Sequence, residues 1–311
     1  MFAQYRCWRI NNETKNLFCR LKAALADDDD PVDICKDNVF KAVFTRNTPA
    51  SQGALSKLVS ALIGYEVSIL TISANEPPID NLRDRQIRFD INCKAENGEL
   101  ISVEMSFYPS TYMPVRLEFY AGKLFTSQDI KGVDRDYKDL KKAYQIAILD
   151  KERFFKNEIF LHTFEFYDPV NHESLDGRIR IITLELAKLD KVVKKPTKEM
   201  SIQEQWAIYF KYLTDKSKRR TINEIVEQEE GIAMASDVLI TISKEEEERF
   251  RLLSQEKIEL DYQSGLSHAK KTGIQEGRQE GKQEARQEII EMLKNGKSPE
   301  ELIKEFETKT V

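Results

Sequence analysis

The sequence lacks the features that would place it in a membrane or in an oxidising compartment. It contains no apolar run of about 18 residues, so no segment is predicted to span a membrane. Charged and polar residues interrupt the N-terminal segment, which therefore has no signal-peptide core. The cysteines are few, scattered and without a C-x-x-C pair: Cys7, Cys19, Cys35 and Cys93. We therefore expect a cytoplasmic protein with reduced thiols and no membrane partner.

Histidine is also scarce, and the chain has no excess of positive charge. The histidines, His162, His172 and His268, lie too far apart in the chain to predict a zinc site. The formal net charge is −5, so no overall basic field attracts nucleic acid, and contact with DNA would need a local patch. Charged residues nevertheless make up 32% of the chain, above the usual quarter, which indicates a long solvated helical region.

The chain does contain patterns typical of an α/β protein. An acidic run at 27–30, ended by Pro31, is predicted to be a linker, and after Pro196 the pattern becomes helical, with one apolar stripe of Trp206, Tyr209, Phe210 and Leu213. We expect four regions: an N-terminal extension with the acidic linker over 1–34, an α/β core over 35–195, a helical region over 196–260, and a polar helical tail over 261–311.

Hydrophobic periodicity predicts the elements of the core. A helix is predicted to begin at Asp37, and a second helix to end at Gly64. A third is predicted from Pro114 to about residue 125. Alternating or apolar runs bounded by turn residues predict strands at 66–72, 87–93, 100–107, 144–149, 160–167 and 178–186. This order of helices and strands favours an α/β core with a mixed sheet.

Two of these predicted strands form a hairpin whose register is informative. A two-residue turn at Asn97-Gly98 would place Asp90 and Glu104 on opposite faces of the sheet. A three-residue loop, with Gly98 in the left-handed conformation, places them directly opposite each other and also makes the apolar faces of both strands coincide. We therefore predict the three-residue loop and a pair of neighbouring carboxylates.

A pair of opposed carboxylates on one sheet face can have two meanings. Like charges directly opposite each other are destabilising, and a hard cation such as Mg²⁺ or Mn²⁺ would neutralise them while accepting their oxygen atoms as ligands. Alternatively, Asp90 and Glu104 are ordinary exposed strand residues, with Arg88 reducing their repulsion. The spacing alone leaves both interpretations open.

Several short motifs occur in a recognisable order along the chain. They are D-x-x-F-K at 37–41, F-D-I at 89–91, the N-G-E turn, V-E-M at 103–105 and R-L-E-F-Y at 116–120. With these motifs the sequence resembles the Rpn-type recombination-promoting nucleases, also called PD-(D/E)XK nuclease family transposases, over roughly residues 35–190. This resemblance implies a restriction-endonuclease-like mixed sheet flanked by helices, and cleavage of DNA with a divalent metal.

The resemblance also implies roles for individual carboxylates. Asp90 matches the metal-binding aspartate of the family, and Glu104 matches the acid of its E-x-K or E-x-Q element. Asp37 matches an acidic position on the first helix. Asp90 and Glu104 are therefore the expected ligands of Mg²⁺ or Mn²⁺, with Asp37 assisting catalysis.

One position departs from the family pattern. Ser106 stands where the superfamily has lysine and this branch usually has glutamine, and serine is a poor base. Metal-bound hydroxide would remain a possible nucleophile. Lys41 or Arg116 is expected to supply positive charge and to contact DNA phosphate, although Lys41 pairing only with Asp37, and Arg116 packing only on Tyr120, are alternatives that the spacing leaves open.

The tail has a stripe of small residues at four-residue intervals: Gly273, Gly277, Gly281 and Ala285. Such a stripe allows another helix to approach closely, whereas an isolated helix with these glycines would be poor, so the segment either pairs with a partner or forms a loosely ordered tail. A capping box at Ser298 predicts one more short helix. We expect a homo-oligomer formed through this segment.

These observations support one leading hypothesis and two alternatives. The leading hypothesis is a Mg²⁺-dependent DNA endonuclease of the recombination-promoting type. Ser106 and the acidic net charge favour a catalytically degenerate protein that keeps the fold and acts as an oligomeric interaction partner. A DNA-binding accessory without cleavage is the other alternative.

Overall fold

A computed structural model describes residues 31–73, 90–106, 112–128, 136–151, 153–244, 273, 277–296 and 298. The acidic run at 27–30, the beginning of the predicted strand 87–93, residue 107 and the predicted last helix lie outside these residues. Residues up to Leu252 form one compact unit, and those from Leu253 form a second.

The first helix begins, and the second helix ends, where the sequence predicts. Helix α1 spans Asp37–Thr45 and helix α2 spans Pro49–Ile63. The Thr48 side chain accepts a hydrogen bond from the Ser51 N–H at 3.2 Å, which caps the start of α2. Gly64 ends α2 with φ of 93°, a left-handed conformation that glycine adopts without strain.

A six-stranded mixed sheet forms the centre of the first unit. Its spatial order is β1-β2-β3-β4-β6-β5, in which β3, β4 and β6 are parallel and the other neighbours are antiparallel. The carboxyl ends of the three parallel strands therefore meet at one edge of the sheet. The strands are β1 Ile69–Ser73, β2 Ile91–Ala95, β3 Leu100–Ser106, β4 Ala143–Leu149, β5 Leu161–Phe164 and β6 Ile179–Glu185.

Several predicted strands are shorter in the structure: the strand predicted at 178–186 loses one residue at each end, and Asp90, within the strand predicted at 87–93, precedes the observed strand. The strand predicted at 66–72 begins only at Ile69. The strand predicted at 160–167 ends at Phe164, and beyond it a single bridge joins Tyr167 to Ser174. Asp168 accepts a hydrogen bond from the Val170 N–H at 2.8 Å, a local turn that competes with strand pairing.

Both faces of the sheet are covered. The larger core packs α1, α2 and the later helices against one face, where β3 contributes Ile101, Val103 and Met105. On the other face lies α3, Met113–Thr126, whose residues at helical spacing, Met113 and Leu117 among them, pack on β4. The remaining helices are α4 Ile202–Tyr212, α5 Arg219–Gln228 and α6 Glu230–Lys244.

The helices after residue 196 share the core of the α/β region. The Trp206 ring lies 6.2 Å from that of Phe44, and the Phe210 ring lies 6.1 Å from that of Phe40. The predicted apolar stripe on α4 is therefore confirmed as a buried one. The division of the chain near residue 195 stays a prediction about its organisation.

The second unit contains a helix over residues 277–294. Gly277, Gly281 and Ala285 are exposed on it, as are the large side chains of Ile290 and Leu293. Of the helices in the described part of the chain, none has both the length and the apolar content needed to cross a membrane.

Candidate metal centre and active site

The β2–β3 hairpin has the predicted register. Ile91 pairs with Val103, and every further pair along the two strands keeps the same offset. Gly98 has φ of 87°, and its N–H donates to the Ala95 carbonyl at 2.9 Å, as the three-residue loop requires. Asp90 directly precedes β2 and lies one residue beyond the last observed pair, so the same offset, if continued, brings it level with Glu104 on β3.

The alternative that these carboxylates are merely exposed strand residues is wrong. The side chain of Glu104 is 5% exposed and that of Asp90 is 14% exposed. Helix α3 covers the sheet face that carries Glu104, so both faces of β3 are buried. The predicted register is confirmed. The assumption behind it, that only one face of the hairpin is buried, is wrong, because the parallel neighbour β4 continues the apolar surface on which α3 packs.

Asp90 lies between a backbone donor and a lysine. Its Oδ2 accepts a hydrogen bond from the Met105 N–H at 2.9 Å, and its Oδ1 lies 3.2 Å from the Lys41 ammonium. Lys41 also lies 2.8 Å from Asp37, one helical turn earlier on α1. The predicted Lys41–Asp37 pair is therefore present, and the same lysine joins α1 to the hairpin.

Glu104 has a different cation. Its Oε1 forms an ion pair with the Arg116 guanidinium from the first turns of α3. The Arg116 guanidinium lies 5.0 Å from the centre of the Tyr120 ring, so the packing of Arg116 on Tyr120 that the spacing left open is present beside the ion pair. The other oxygen of Glu104, Oε2, is buried and has no hydrogen-bond partner within the described residues.

Burial makes both carboxylates unusually weak acids. Burial raises the pKa of Asp90 to about 6, and the nearby charge of Asp37 adds to this, while Lys41 opposes it. Burial raises the pKa of Glu104 to about 7, against the effect of Arg116 and with a contribution from Asp90. The cations of the protein therefore compensate the two negative charges only in part.

The two cations stay charged. Burial alone would lower the pKa of Lys41, but Asp90 and Asp37 outweigh burial and the pKa is raised. Burial likewise opposes, and Glu104 favours, the charged form of Arg116, whose pKa is also raised. Lys41 and Arg116 can therefore hold and orient anions, but Lys41 has no free base form near neutral pH that would accept a proton from water.

The donor set suits a hard divalent cation. Asp90 and Glu104 supply carboxylate oxygens, and the unpartnered Oε2 of Glu104 is the atom that such a cation would satisfy. Across the described ranges, no three His, Cys, Asp or Glu side chains come together as a metal-binding group. Asp37 pairs with Lys41, which leaves Asp90 and Glu104 as the two candidate ligands, and Mg²⁺ commonly uses one or two carboxylates together with water and phosphate.

Ser106 is the last residue of β3 and lies at the carboxyl edge of the sheet. It pairs with Leu149 on β4, and its carbonyl accepts a hydrogen bond from the Asp150 N–H at 3.0 Å. By strand alternation it faces the same side as Glu104. Position 106 is therefore next to the carboxylate pair, but its side chain is too short to replace lysine or glutamine.

The comparisons with known proteins agree with this geometry. A family model described as PD-(D/E)XK nuclease family transposase matches residues 34–269, more than two thirds of the 311-residue chain. The chain belongs to the PD-(D/E)XK nuclease family transposases. The resemblance and the predicted restriction-endonuclease-like fold are thereby confirmed, and the match supports a nuclease or transposase-associated role. Neither the comparison with curated proteins nor that with solved structures gives a significant match.

Family membership bears on the function of the site that contains Asp90 and Glu104. PD-(D/E)XK nucleases generally use divalent metals. The match covers the hairpin that carries Asp90 and Glu104, α1 with Lys41, and α3 with Arg116. The family assignment and the burial of the two carboxylates therefore favour the same chemistry.

Sequence reasoning missed a second buried charged cluster, at the end of β6. Glu185 and Lys188 are both fully buried, with 2.6 Å between the Glu185 carboxylate and the Lys188 ammonium. Glu185 also accepts from the Phe154 N–H at 2.7 Å, and Lys188 donates to the Ile159 carbonyl at 3.1 Å. The cluster thus holds the loop after β4. A glutamate and a lysine three residues apart are common on exposed helix surfaces, so nothing in the sequence indicates that Glu185 and Lys188 are buried.

Proposed function

We propose that this protein is a Mg²⁺-dependent DNA endonuclease. The proposal is supported by two buried carboxylates, Asp90 and Glu104, at the end of the β2–β3 hairpin, where Oε2 of Glu104 has no hydrogen-bond partner among the described residues. Burying two like charges side by side destabilises a fold unless a cation compensates them. Membership of a nuclease family supports DNA as the substrate.

In this mechanism Asp90 and Glu104 hold Mg²⁺ or Mn²⁺. When bound, the metal lowers the pKa of water and stabilises the charge that develops on phosphate. The Met105 N–H fixes the orientation of the Asp90 carboxylate, and Arg116 fixes that of Glu104. Arg116 is 42% exposed while paired, so its remaining N–H donors are available to a DNA phosphate.

Lys41 takes part through its charge. It reaches the carboxylate pair from α1 and stays protonated, so it can bind a phosphate oxygen or orient water but does not act as the general base. Beside Asp90, Lys41 can supply the positive charge that a lysine at position 106 would bring, but it cannot replace that lysine as a base. We therefore expect a slow nuclease.

A plasmid-nicking assay tests the proposal. The parent protein should relax supercoiled plasmid in Mg²⁺ and not in EDTA. Ser106→Gln should nick about tenfold faster or more, because its longer amide side chain can form a hydrogen bond that orients the attacking water beside Glu104, and one such bond contributes about 1.4 kcal/mol. Ser106→Ala is the matched control and should behave like the parent. A parent that leaves plasmid intact in both Mg²⁺ and Mn²⁺ would contradict the proposal.

A catalytically degenerate protein is the second candidate, and Ser106 is the observation that favours it. In that case the parent does not cleave, and Ser106→Gln or Ser106→Lys creates cleavage that the parent lacks. If the protein instead binds DNA as an accessory, binding should persist in EDTA and weaken steeply with salt.

Metal binding should be visible in the pH dependence of stability. The pKa values of Asp90 and Glu104 are raised from 3.8 to about 6 and from 4.5 to about 7, so the folded state holds these protons more tightly than the unfolded state. Their contribution to the free energy of unfolding is therefore fully present below about pH 4 and is lost as the pH rises through 6 and 7. Each pKa difference corresponds to about 3 kcal/mol at most.

Mg²⁺ binds the ionised carboxylates, so it should reverse this loss. Thermal denaturation should show a large Mg²⁺-induced stabilisation at about pH 8 and little at about pH 5. Asp90→Asn/Glu104→Gln should abolish the effect of Mg²⁺ at both pH values. Equal stabilisation of the parent at both pH values would show that Mg²⁺ binds elsewhere.

We also propose that the protein self-associates through the helix at 277–294. Ile290 is 51% exposed and Leu293 is 43% exposed on the same helix as the small-residue stripe, and a partner helix would bury both. A one-site nuclease also needs two subunits to cut both strands. Analytical ultracentrifugation should show an oligomer that becomes a monomer when residues 261–311 are deleted.

A further inference from the structure

Helix α3 has an unusual outer surface. Tyr112, at its N-terminal cap, is 77% exposed, Val115 is 65% exposed and Phe119 is 51% exposed. Their spacing of three and four residues places them along one side of the helix. We call these three residues the α3 ridge. Large apolar side chains that are grouped on a protein surface often form a binding site for a ligand or another macromolecule.

The α3 ridge lies beside the candidate active site. Arg116 is within one turn of each of its members and reaches from α3 to Glu104. The stacking of Arg116 on Tyr120 fixes the guanidinium at this position, and nearly half of the side chain stays exposed. An exposed apolar surface and a cation that could bind phosphate are therefore adjacent on α3, and that cation contacts the proposed metal ligand Glu104.

We propose that the α3 ridge stacks against unpaired DNA bases next to the cleaved phosphate, so that the substrate is single-stranded or locally unpaired DNA. This inference rests on the proposed function in that it assumes DNA at the Glu104 site. Aromatic side chains that alternate with cations bind single strands because every base has a face on which they can stack. Tyr112 and Phe119 supply the rings, and Arg116 supplies the cation.

Paired DNA fits this surface less well. In a duplex the base faces are hidden in the stack, so the α3 ridge would meet only phosphates, sugars and base edges. A duplex also carries the higher density of negative charge, and a chain with a net charge of −5 offers little to balance it. Stacking contributes binding that does not depend on charge, which suits an acidic protein.

The test compares binding of a single strand with binding of its duplex. Fluorescein-labelled oligo(dT), alone or annealed to oligo(dA), is titrated with the full chain in Ca²⁺ and followed by anisotropy. The parent should bind the single strand more tightly. Tyr112→Ala and Phe119→Ala should each weaken single-strand binding by about tenfold or more, since one base stack is lost, and should leave duplex binding unchanged. Phe119→Tyr, which keeps a ring, should bind like the parent.

Tyr137→Ala is the matched control. Tyr137 is as exposed as Tyr112, at 77%, but precedes β4 at the opposite edge of the sheet from the carboxyl ends of the parallel strands. It should change neither affinity. Because the substituted residues are exposed, all variants should unfold at the parental temperature. Equal affinity for both DNA forms, or the same affinity in Tyr112→Ala as in Tyr137→Ala, would overturn the inference.

The outcomes also separate this inference from the proposed nuclease. The protein could prefer oligo(dT), through Tyr112 and Phe119, and yet never nick plasmid. That result would support single-strand binding by the α3 ridge and contradict the proposed nuclease activity. Conversely, the protein could nick plasmid in Mg²⁺ while its affinity for oligo(dT) does not depend on these residues. That result would support the nuclease activity and contradict the inference about the α3 ridge. If Tyr112→Ala instead dissociates an oligomer, the ridge is an interface with a second copy and the inference is wrong.

Discussion

Replacing Asp90 with asparagine should reduce Mg²⁺-dependent plasmid nicking by about a thousandfold or more. The amide keeps the size of the side chain and an oxygen that can accept from the Met105 N–H, so the hairpin should keep its geometry. What it removes is the negative charge that attracts Mg²⁺ and that pairs with Lys41. Loss of several kcal/mol of transition-state stabilisation, which a catalytic metal commonly supplies, corresponds to at least this factor.

The control for this variant is Asp190→Asn, which makes the same chemical change on a side chain that is 77% exposed. It should nick plasmid at the parental rate. Isothermal titration should detect Mg²⁺ binding to Asp190→Asn and not to Asp90→Asn. If Asp90→Asn cleaves like the parent, the metal is held by other residues and the assignment of this site is wrong.

The second large effect is expected on stability. Lys188→Met should lower the free energy of unfolding by about 3–5 kcal/mol, because it leaves the fully buried Glu185 carboxylate without its cation. Methionine fills nearly the same volume, so the loss would report charge rather than a cavity. Urea denaturation measures it, and the effect is a large part of the total stability of a typical domain.

Two variants control for this interpretation. Lys57→Met removes a lysine that is 36% exposed and paired with the exposed Glu66, and should cost about 1 kcal/mol or less. Glu185→Gln/Lys188→Met removes both charges and should be more stable than Lys188→Met alone. The pKa of His162, which burial and Lys188 both lower, should rise in Lys188→Met. A Lys188→Met protein as stable as Lys57→Met would contradict the argument.

The hairpin shows what sequence reasoning could predict. Its register depends on three loop residues and on strand alternation, both of which are local, and the structure confirms the left-handed Gly98 and the pairing of Ile91 with Val103. The pairing of Lys41 with Asp37 is equally local, because it joins successive turns of one helix. These features could be predicted because few residues decide them.

The burial of the site could not be predicted in the same way. The apolar positions of α3 were visible in the sequence, but not the sheet face against which they pack. Likewise, the contact of Lys41 with Asp90 depends on how α1 approaches the hairpin. Burial by elements distant in sequence is what raises the pKa of Asp90 and Glu104, so the electrostatics of the site follow from tertiary packing.

The aromatic cluster that joins α1 to α4 has a consequence for the smallest piece of the chain that can work. Trp206 and Phe210 cover the rings of Phe44 and Phe40 on the buried side of the helix whose other side carries Lys41. A chain shortened to end at residue 195 would expose those rings to water and release the helix that carries Lys41. The shortest chain that folds on its own is therefore expected to extend through α6. Its last residues, about fifty after position 195, would contribute no proposed site residue but would hold α1, and with it Lys41, in place.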